Sequence, residues 1–553
     1  MTDGLKDEHR EAIIAGIAAN DRVERAVLFG SRATGTNTVS SDVNIALFGD
    51  RLTLTDQSRL AAALDEIPMA QEIDLVLYDS IRDHALREQI QRDGVEWYAE
   101  PNDRSDQVTL TSATGAGNLS DPPSGWERST LGEVCKRSGG NIQTGPFGSQ
   151  LHASDYRPEG IPSIMPQNLG DNRVIEVGIS RIGELDASRL RRYLVREGDI
   201  VYSRRGDVER RALIGPREDG WLCGTGCLRV RLGENGVDPT YASYYLGNPA
   251  VREWIVRHAH GATMPNLNTA ILSACPFVVP PPSEQRAIAH VLGTLDDKIE
   301  LSRLMNATLE AMVHELFRSW FVDFDPVRAK MERRDSRLPM EIADLFPDRL
   351  ADSEVGEIPK GWTVQTLGDI AAAPRRGVHP ARVSCDTPFI GLEHMPRGSV
   401  ALGDWGTSAG VSSGKFAFDS RDILFGKLRP YFHKVGVAPV NGVCSTDIVV
   451  LKPRMPTWST FVLACVSSSR FVSYANQSST GTKMPRTSWE TMSRYELCRP
   501  TDAIVQAFHQ VVSPMLEQIV SNVHESRTTA ALRDVLLPLL TSGEIRVGHL
   551  PTK

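Results

Sequence analysis

One stretch limits the folds open to this chain more than any other. From Ser283 to Val322 it reads SEQRAIAHVLGTLDDKIELSRLMNATLEAMVHELFRSWFV. On a seven-residue grid it yields one seam: Ile288, Leu292, Leu295, Ile299, Ser302, Asn306, Leu309, Val313, Leu316 and Trp320. The steps alternate four and three, the spacing that keeps one stripe facing a partner helix. Pro280, Pro281 and Pro282 precede it, Ser283 is placed to cap it, and Asp325-Pro326 closes it. Roughly 39 residues at ~1.5 Å each make a rod of roughly 58 Å. The competing reading is one long core helix in an ordinary domain, and a second copy of the pattern weighs against it.

The chain is a tandem repeat. PPSGWERSTLGEV, from Pro122, returns as IPKGWTVQTLGDI from Ile358, and REGDIVYSRRGDVERRALIG, from Arg196, returns as SRDILFGKLRPYFHKVGVA from Ser420. GATMPNLN at Gly261 returns as GTKMPRTS at Gly481, an offset of 220. The helix follows at the same offset, with Val291, Leu295 and Ile299 matched by Val511, Met515 and Ile519. Ordered motifs recurring in step are the signature of duplication. Each copy is a strand-rich region studded with Gly and Pro turns, then a long helix. The polar break in the first seam, Ser302 and Asn306, reappears as Asn522 and Ser526. Antiparallel helices with aligned centres place Ser302 opposite Ser526 and Asn306 opposite Asn522. A polar layer in an apolar seam costs stability but fixes register. The alternative is a fraying seam, and the second helix does weaken beyond Ser526, where Thr529 and Arg533 fall on the grid.

With 41% hydrophobic and 24% charged residues among 553, the composition is that of ordinary globular protein in several domains. There is no apolar run near membrane length, and the start, MTDGLKDEHREA, is polar rather than a secretory leader, so the expected compartment is the cytoplasm and no membrane is involved. Eight scattered cysteines, with only a lone CxxxC at Cys223 and Cys227, read as reduced thiols. Charge is uneven. Residues 1–100 hold 19 Asp/Glu against 10 Lys/Arg, so with −8 over the whole chain the remaining 453 sum to +1. The body is therefore no indiscriminate polycation, and any nucleic-acid contact must come from local patches.

The head, residues 1–100, has a helix, the strand RVERAVLFG, then GSRATGTNTVSSDVNIALFG and the strand EIDLVLYD. It resembles the minimal nucleotidyltransferases of the polymerase-β superfamily. In that family Gly-Ser lets backbone amides approach a triphosphate, and three carboxylates hold two Mg²⁺ for in-line transfer. Gly30 and Ser31 match the nucleotide-binding positions, and Asp42 and Asp74 match two metal ligands. Position 44 is Asn where the second carboxylate is expected. A neutral amide removes a full charge from a site for hard cations. The expectation is a degenerate site serving docking or regulation, with Mg²⁺ and a nucleotide as the ligands it would take. The bland readings are a solvated strand end for Asp42 and Asn44 and a plain turn for Gly30. Residues 101–121, polar and rich in small residues, read as a linker.

In the body, residues 189–217 hold nine arginines against four acids. Tyr202, Arg204 and Arg205 follow Ile200-Val201, and Arg210 and Arg211 come soon after. That places guanidinium groups at a strand-to-turn edge, where they can fork onto guanine or phosphate. Lys427, Arg429, Tyr431 and Lys434 hold the matching stretch of the second copy, and Lys483 and Arg486 flank its Met-Pro turn. For any one of these the bland reading is a solvated basic face. No Walker loop, HExxH or methyltransferase cofactor loop accompanies them.

The GWxxxxLG opening, GDI-type strand, GxxMPxLN-like turn, PPxxEQxxI helix start and tandem arrangement resemble the DNA-specificity subunit of type I restriction–modification enzymes over residues 122–553. The resemblance implies target-recognition domains at 122–282 and 358–500, spacer helices at 283–325 and within 501–553, and a connector at 326–357. It implies an α+β multidomain chain in which two antiparallel helices separate two strand-rich readers behind a small α/β head. It implies double-stranded DNA as ligand, two methyltransferase subunits as partners, and a restriction/translocase subunit reached through them. S-adenosylmethionine and ATP would be used by those partners, and this chain would need no cofactor. The second copy departs from the pattern, since RPTDAIVQAF lacks the Glu-Gln and GTKMPRTS lacks the Leu-Asn. Two rivals remain: a Mg-dependent nucleotidyltransferase targeted by its C-terminal body, and a scaffold without DNA affinity.

Overall fold

The computed structural model describes parts of residues 7–99, and residues 122–547 apart from 148–149, 235, 260–264 and 482–483. The linker expected at 101–121 lies outside the described residues, as do Met264 and Lys483. Packing divides the chain into two units, Met1–Gln285 and Arg286–Lys553.

In the first unit the head is a four-stranded sheet, ordered Ile73–Leu77, Val43–Phe48, Arg25–Phe29, Val95–Ala99. The first two run parallel, and the remaining pairs are antiparallel. Ile13 and Ile17 of the helix Asp7–Ala18 close one core with Leu28, Val43, Ile45 and Leu47.

The rest of that unit is strand-rich. Its opening strand Glu127–Thr130 pairs with Pro276–Val279, tying the two ends of the region together. The T-x-x-E of the repeated opening motif is a capping box: Glu133 N–H donates to Thr130 Oγ1 at 3.3 Å and Thr130 N–H to Glu133 Oε2 at 3.0 Å. A five-stranded sheet follows, with Ile200–Ser203 at its centre between Cys227–Gly233 and Arg211–Leu213. The second unit repeats the plan. Thr363–Thr366 pairs with Glu496–Arg499, Thr366 N–H donates to Asp369 Oδ2 at 2.8 Å, and Ile423–Gly426 is flanked by Ile448–Pro453 and Val435–Val437.

The first long helix runs Pro282–Phe321, 40 residues, and the second Asp502–Ser542, 41 residues. Pro282, not Ser283, opens the first helix, because proline at the first position loses only an N–H that no intrahelical carbonyl accepts. After Phe321 the chain turns through Phe324, at φ 56, and Asp325-Pro326 opens a short helix to Met331. Gly543, at φ 78, ends the second helix in the left-handed conformation suited to glycine.

Within the second unit the helices pair antiparallel. Arg533 Nη1 donates to Asp296 Oδ1 at 2.7 Å, Asn522 Nδ2 to Asn306 Oδ1 at 2.8 Å, and Phe508 packs on Trp320 at 5.7 Å between ring centroids. As one number falls the other rises, so the strands of the pair run in opposite directions. Ser302, Asn306 and Asn522 are buried. Phe317, Trp320 and Phe321 then join Phe461, Trp362 and Phe508 in one aromatic core between helices and globular region. Glu310 fixes that region to the first helix, accepting from Ser399 Oγ at 2.7 Å, Val400 N–H at 3.1 Å and Ala401 N–H at 3.2 Å. Burial holds its carboxyl above the usual glutamate range against those donors.

Candidate nucleic-acid interface

The strand Ile200–Ser203 ends in Arg204-Arg205-Gly206, and backbone hydrogen bonds pin that end to two other turns. Arg204 N–H donates to Gly226 O at 2.8 Å, Leu267 N–H to Arg204 O at 2.8 Å, and Gly206 N–H to Pro265 O at 3.0 Å. The strand end and the segment 265–267, separate in the sequence, thus form one corner. Arg205 is exposed. The guanidinium of Arg204 lies 5.9 Å from the centroid of Phe147, whose ring is 54% exposed. Among the described residues, Arg204 Nε, Thr225 Oγ1 and Asn266 Oδ1 are buried atoms without a hydrogen-bond partner. Buried polar groups are nearly always paired, so three together at one corner mark a place that a polar ligand would complete.

The second unit builds the same corner. Lys427 N–H donates to Asp447 O at 2.9 Å, Thr487 N–H to Lys427 O at 3.0 Å, and Arg429 N–H to Pro485 O at 2.7 Å. Arg429 Nε and Thr487 Oγ1 again lack a partner among the described residues. Tyr431 is 51% exposed, and Arg397 stacks on the neighbouring Phe432 at 3.9 Å.

Two expected contact residues lie in the core. Tyr202 is fully buried because the central strand is covered on both faces, and Arg211, its partner on the adjacent strand, is 5% exposed. Arg211 Nε donates to Ser243 O at 2.8 Å, and a Cβ on Gly247 would lie 1.9 Å from its Nη2. Burial presses the Arg211 guanidinium below its ordinary range and the Tyr202 phenol above its own. Both are core residues and neither can reach a ligand at the surface. Arg210 pairs with Asp207 at 2.6 Å, Arg486 with Asp447 at 2.9 Å, and Lys434 Nζ is bonded to Leu392 O. Arg204, Arg205, Lys427, Arg429, Tyr431 and Arg486 stand at the two corners, Arg486 through its bridge to Leu428. Asn266 and Thr225 were missed. Asn266 stands inside the repeated GATMPNLN motif, a signal that was present, whereas nothing near Thr225 distinguishes it.

In the head, register brings the expected residues to one strand end. Asn44 lies opposite Phe29 on one side and Asp74 on the other. Gly30, at φ 78, follows directly, and a Cβ there would sit 3.3 Å from Asn44 Nδ2. Asp42 is exposed just before the strand, and the side chain of Ser31 lies outside the described residues. The donor set does not fit a two-metal site, since the central position offers a neutral amide.

At the helix start, Trp126 Nε1 donates to Glu284 Oε2, and Gln285 bridges Pro280 O at 2.7 Å and Asp238 N–H at 2.8 Å. In the second copy Ile504 and Val505 take those places and are fully buried, and Trp362 Nε1 has no partner among the described residues. The missing Glu-Gln is thus a switch from polar to apolar anchoring.

Fold and site together define a duplicated scaffold: strand-rich regions that each present a cationic corner, and long helices that pair antiparallel. Residues 123–311 match the family described as type I restriction modification DNA specificity domain, and residues 11–103 match polymerase beta, nucleotidyltransferase. The MjaIX specificity subunit of Methanocaldococcus jannaschii is 25% identical over 441 residues, covering 77% of this chain and 95% of that one. The HindI specificity subunit of Haemophilus influenzae is 25% identical over 440 residues, covering 69% and 95%. The crystal structure of the S subunit from M. genitalium aligns with TM-score 0.45 and 15% identity over 75% of this chain and 96% of that one. The chain is homologous to the specificity subunits of type I restriction–modification systems.

Proposed function

We propose that this chain reads a bipartite double-stranded DNA site for a type I restriction–modification complex and does no chemistry itself. Residues 122–282 and 358–500 each recognise one half-site. The two helices, 283–325 and within 501–553, set the separation of the halves and receive two methyltransferase subunits, through which a restriction/translocase subunit joins. S-adenosylmethionine and ATP serve those partners, and this chain requires no cofactor. The observation that carries the reading is the corner built twice, with cationic side chains and unpartnered polar atoms at the same strand end of both units. Phosphate contacts position such a protein and a few base-edge contacts specify sequence. Homology to specificity subunits points the same way.

Replacing Arg204 and Arg205 together by Ala weakens binding of the assembled complex to its duplex and flattens the salt dependence by up to ~2 in slope, about 0.9 for each phosphate contact removed. Unchanged affinity and slope, measured by mobility shift against scrambled duplex, would remove these residues from the interface.

The head is a docking or regulatory module, with Gly30 and Ser31 as its nucleotide-facing positions and Asp42, Asn44 and Asp74 as a degenerate metal set. The competing reading, a working nucleotidyltransferase, is favoured only by the gathering of Gly30, Asn44 and Asp74 at one strand end. Incubation with labelled ATP and Mg²⁺ separates the two: no transfer is expected, and transfer abolished by Asp42→Ala would establish the rival.

A further inference from the structure

The two corners share a backbone frame but not their side chains, and the difference divides the labour of recognition. Position by position, the donation from Arg204 N–H to Gly226 O matches that from Lys427 to Asp447, and Gly206 to Pro265 matches Arg429 to Pro485. Leu267 to Arg204 likewise matches Thr487 to Lys427. The bridge between Arg205 and Asn266 matches that between Leu428 and Arg486. These equivalences align Arg204 with Lys427, Arg205 with Leu428, Gly206 with Arg429, and Asn266 with Arg486. Only the first pair keeps its character, a cation in both units. The other three change chemistry outright: cation to apolar, no side chain to guanidinium, amide to guanidinium.

The left-handed position sharpens the contrast. Gly206 adopts φ 74 there at no steric cost, while Arg429 is held at φ 51 in the same frame. A non-glycine residue in this region is uncommon, and such strain gathers at functional positions. Its Nε has no hydrogen-bond partner among the described residues. An arginine kept in a conformation that its counterpart reserves for glycine is kept for its side chain.

We infer that Arg204 and Lys427 are the phosphate anchors common to both half-sites, and that Asn266 and Arg429 are base-reading residues that make the halves differ. What both units share matches what every duplex shares, the phosphate backbone. What differs matches the bases. Chemistry agrees with the assignment: an arginine fork suits guanine O6/N7, and an asparagine amide suits adenine N6/N7. This inference rests on the DNA-reading function proposed above.

The test uses the full chain assembled with its methyltransferase subunits, a pool of duplexes randomised in both halves, and sequencing of the bound fraction. The wild-type complex enriches one bipartite sequence. Arg204→Ala and Lys427→Ala enrich that same sequence, with lower affinity and a salt slope reduced by about 0.9 each. Arg429→Gly keeps or raises the melting temperature, because glycine relieves the backbone, yet loses roughly 5- to 100-fold preference at one or two base positions in one half only. Asn266→Ala relaxes the other half. A changed sequence in Arg204→Ala or Lys427→Ala overturns the assignment, as does an unchanged one in Arg429→Gly and Asn266→Ala, while leaving the DNA-reading function intact. A wild-type pool with no enrichment overturns both.

Discussion

At the scale of single residues, Asn306 and Asn522 carry the most testable energetics. Their amides meet inside an apolar seam, where Asn306 also reaches Ile519 O at 3.5 Å and Gln518 supports Asn522 at 2.7 Å. Asn306→Ala strands a buried partner and should cost ~1–3 kcal/mol in chemical denaturation, whereas changing both to Leu should recover most of that loss. Equal losses in the single and double variants would show that the amides are not coupled. Glu310 supplies a pH signature. Its folded carboxyl titrates above the ordinary 4.5, so its contribution relative to Glu310→Gln is full below that value and is lost as pH rises through the raised one. Thermal unfolding of both proteins across that window should show the difference shrinking with pH, and a difference that grows would reverse the assignment of cause. The seam residues were legible because heptad spacing reports burial directly. Tyr202 and Arg211 were not, because a four-residue strand covered on both faces has no alternation to read, and a guanidinium satisfied by Ser243 O looks like any surface arginine in sequence.

At the scale of elements, the repeat was legible as motifs, and the structure shows what each motif does. Thr130 with Glu133, and Thr366 with Asp369, are helix caps. The Glu-Gln of the first long helix anchors Trp126 and Asp238. Where Ile504 and Val505 replace it, the indole N–H of Trp362 is left without a partner among the described residues. Trp126→Phe removes a hydrogen bond to a carboxylate and should cost ~1.5–3 kcal/mol, while Trp362→Phe removes no such bond and should cost less. Differential scanning calorimetry of the two variants decides this, and equal destabilisation would mean the polar anchor is worth nothing. The corner was only half legible. Strand end and Met-Pro turn are each visible in the sequence, but that they form one site depends on long-range backbone pairing that no local pattern encodes.

At the scale of the whole molecule, the proposal makes geometry a source of specificity. If paired helices set the separation of the half-sites, their register is part of the recognition sequence. The polar contact at Asn306 and Asn522 and the ion pairs of Arg533 with Asp296 and Lys298 with Glu525 would resist sliding. An acidic head on a near-neutral body remains outside that scheme. The most direct measurement places the two half-sites on duplexes whose spacer varies one base pair at a time and records affinity for the assembled complex. The account predicts a single preferred spacing for the wild-type protein and a broadened one for the Asn306→Leu, Asn522→Leu double variant. Equal affinity at every spacing, in wild type and variant alike, would contradict it.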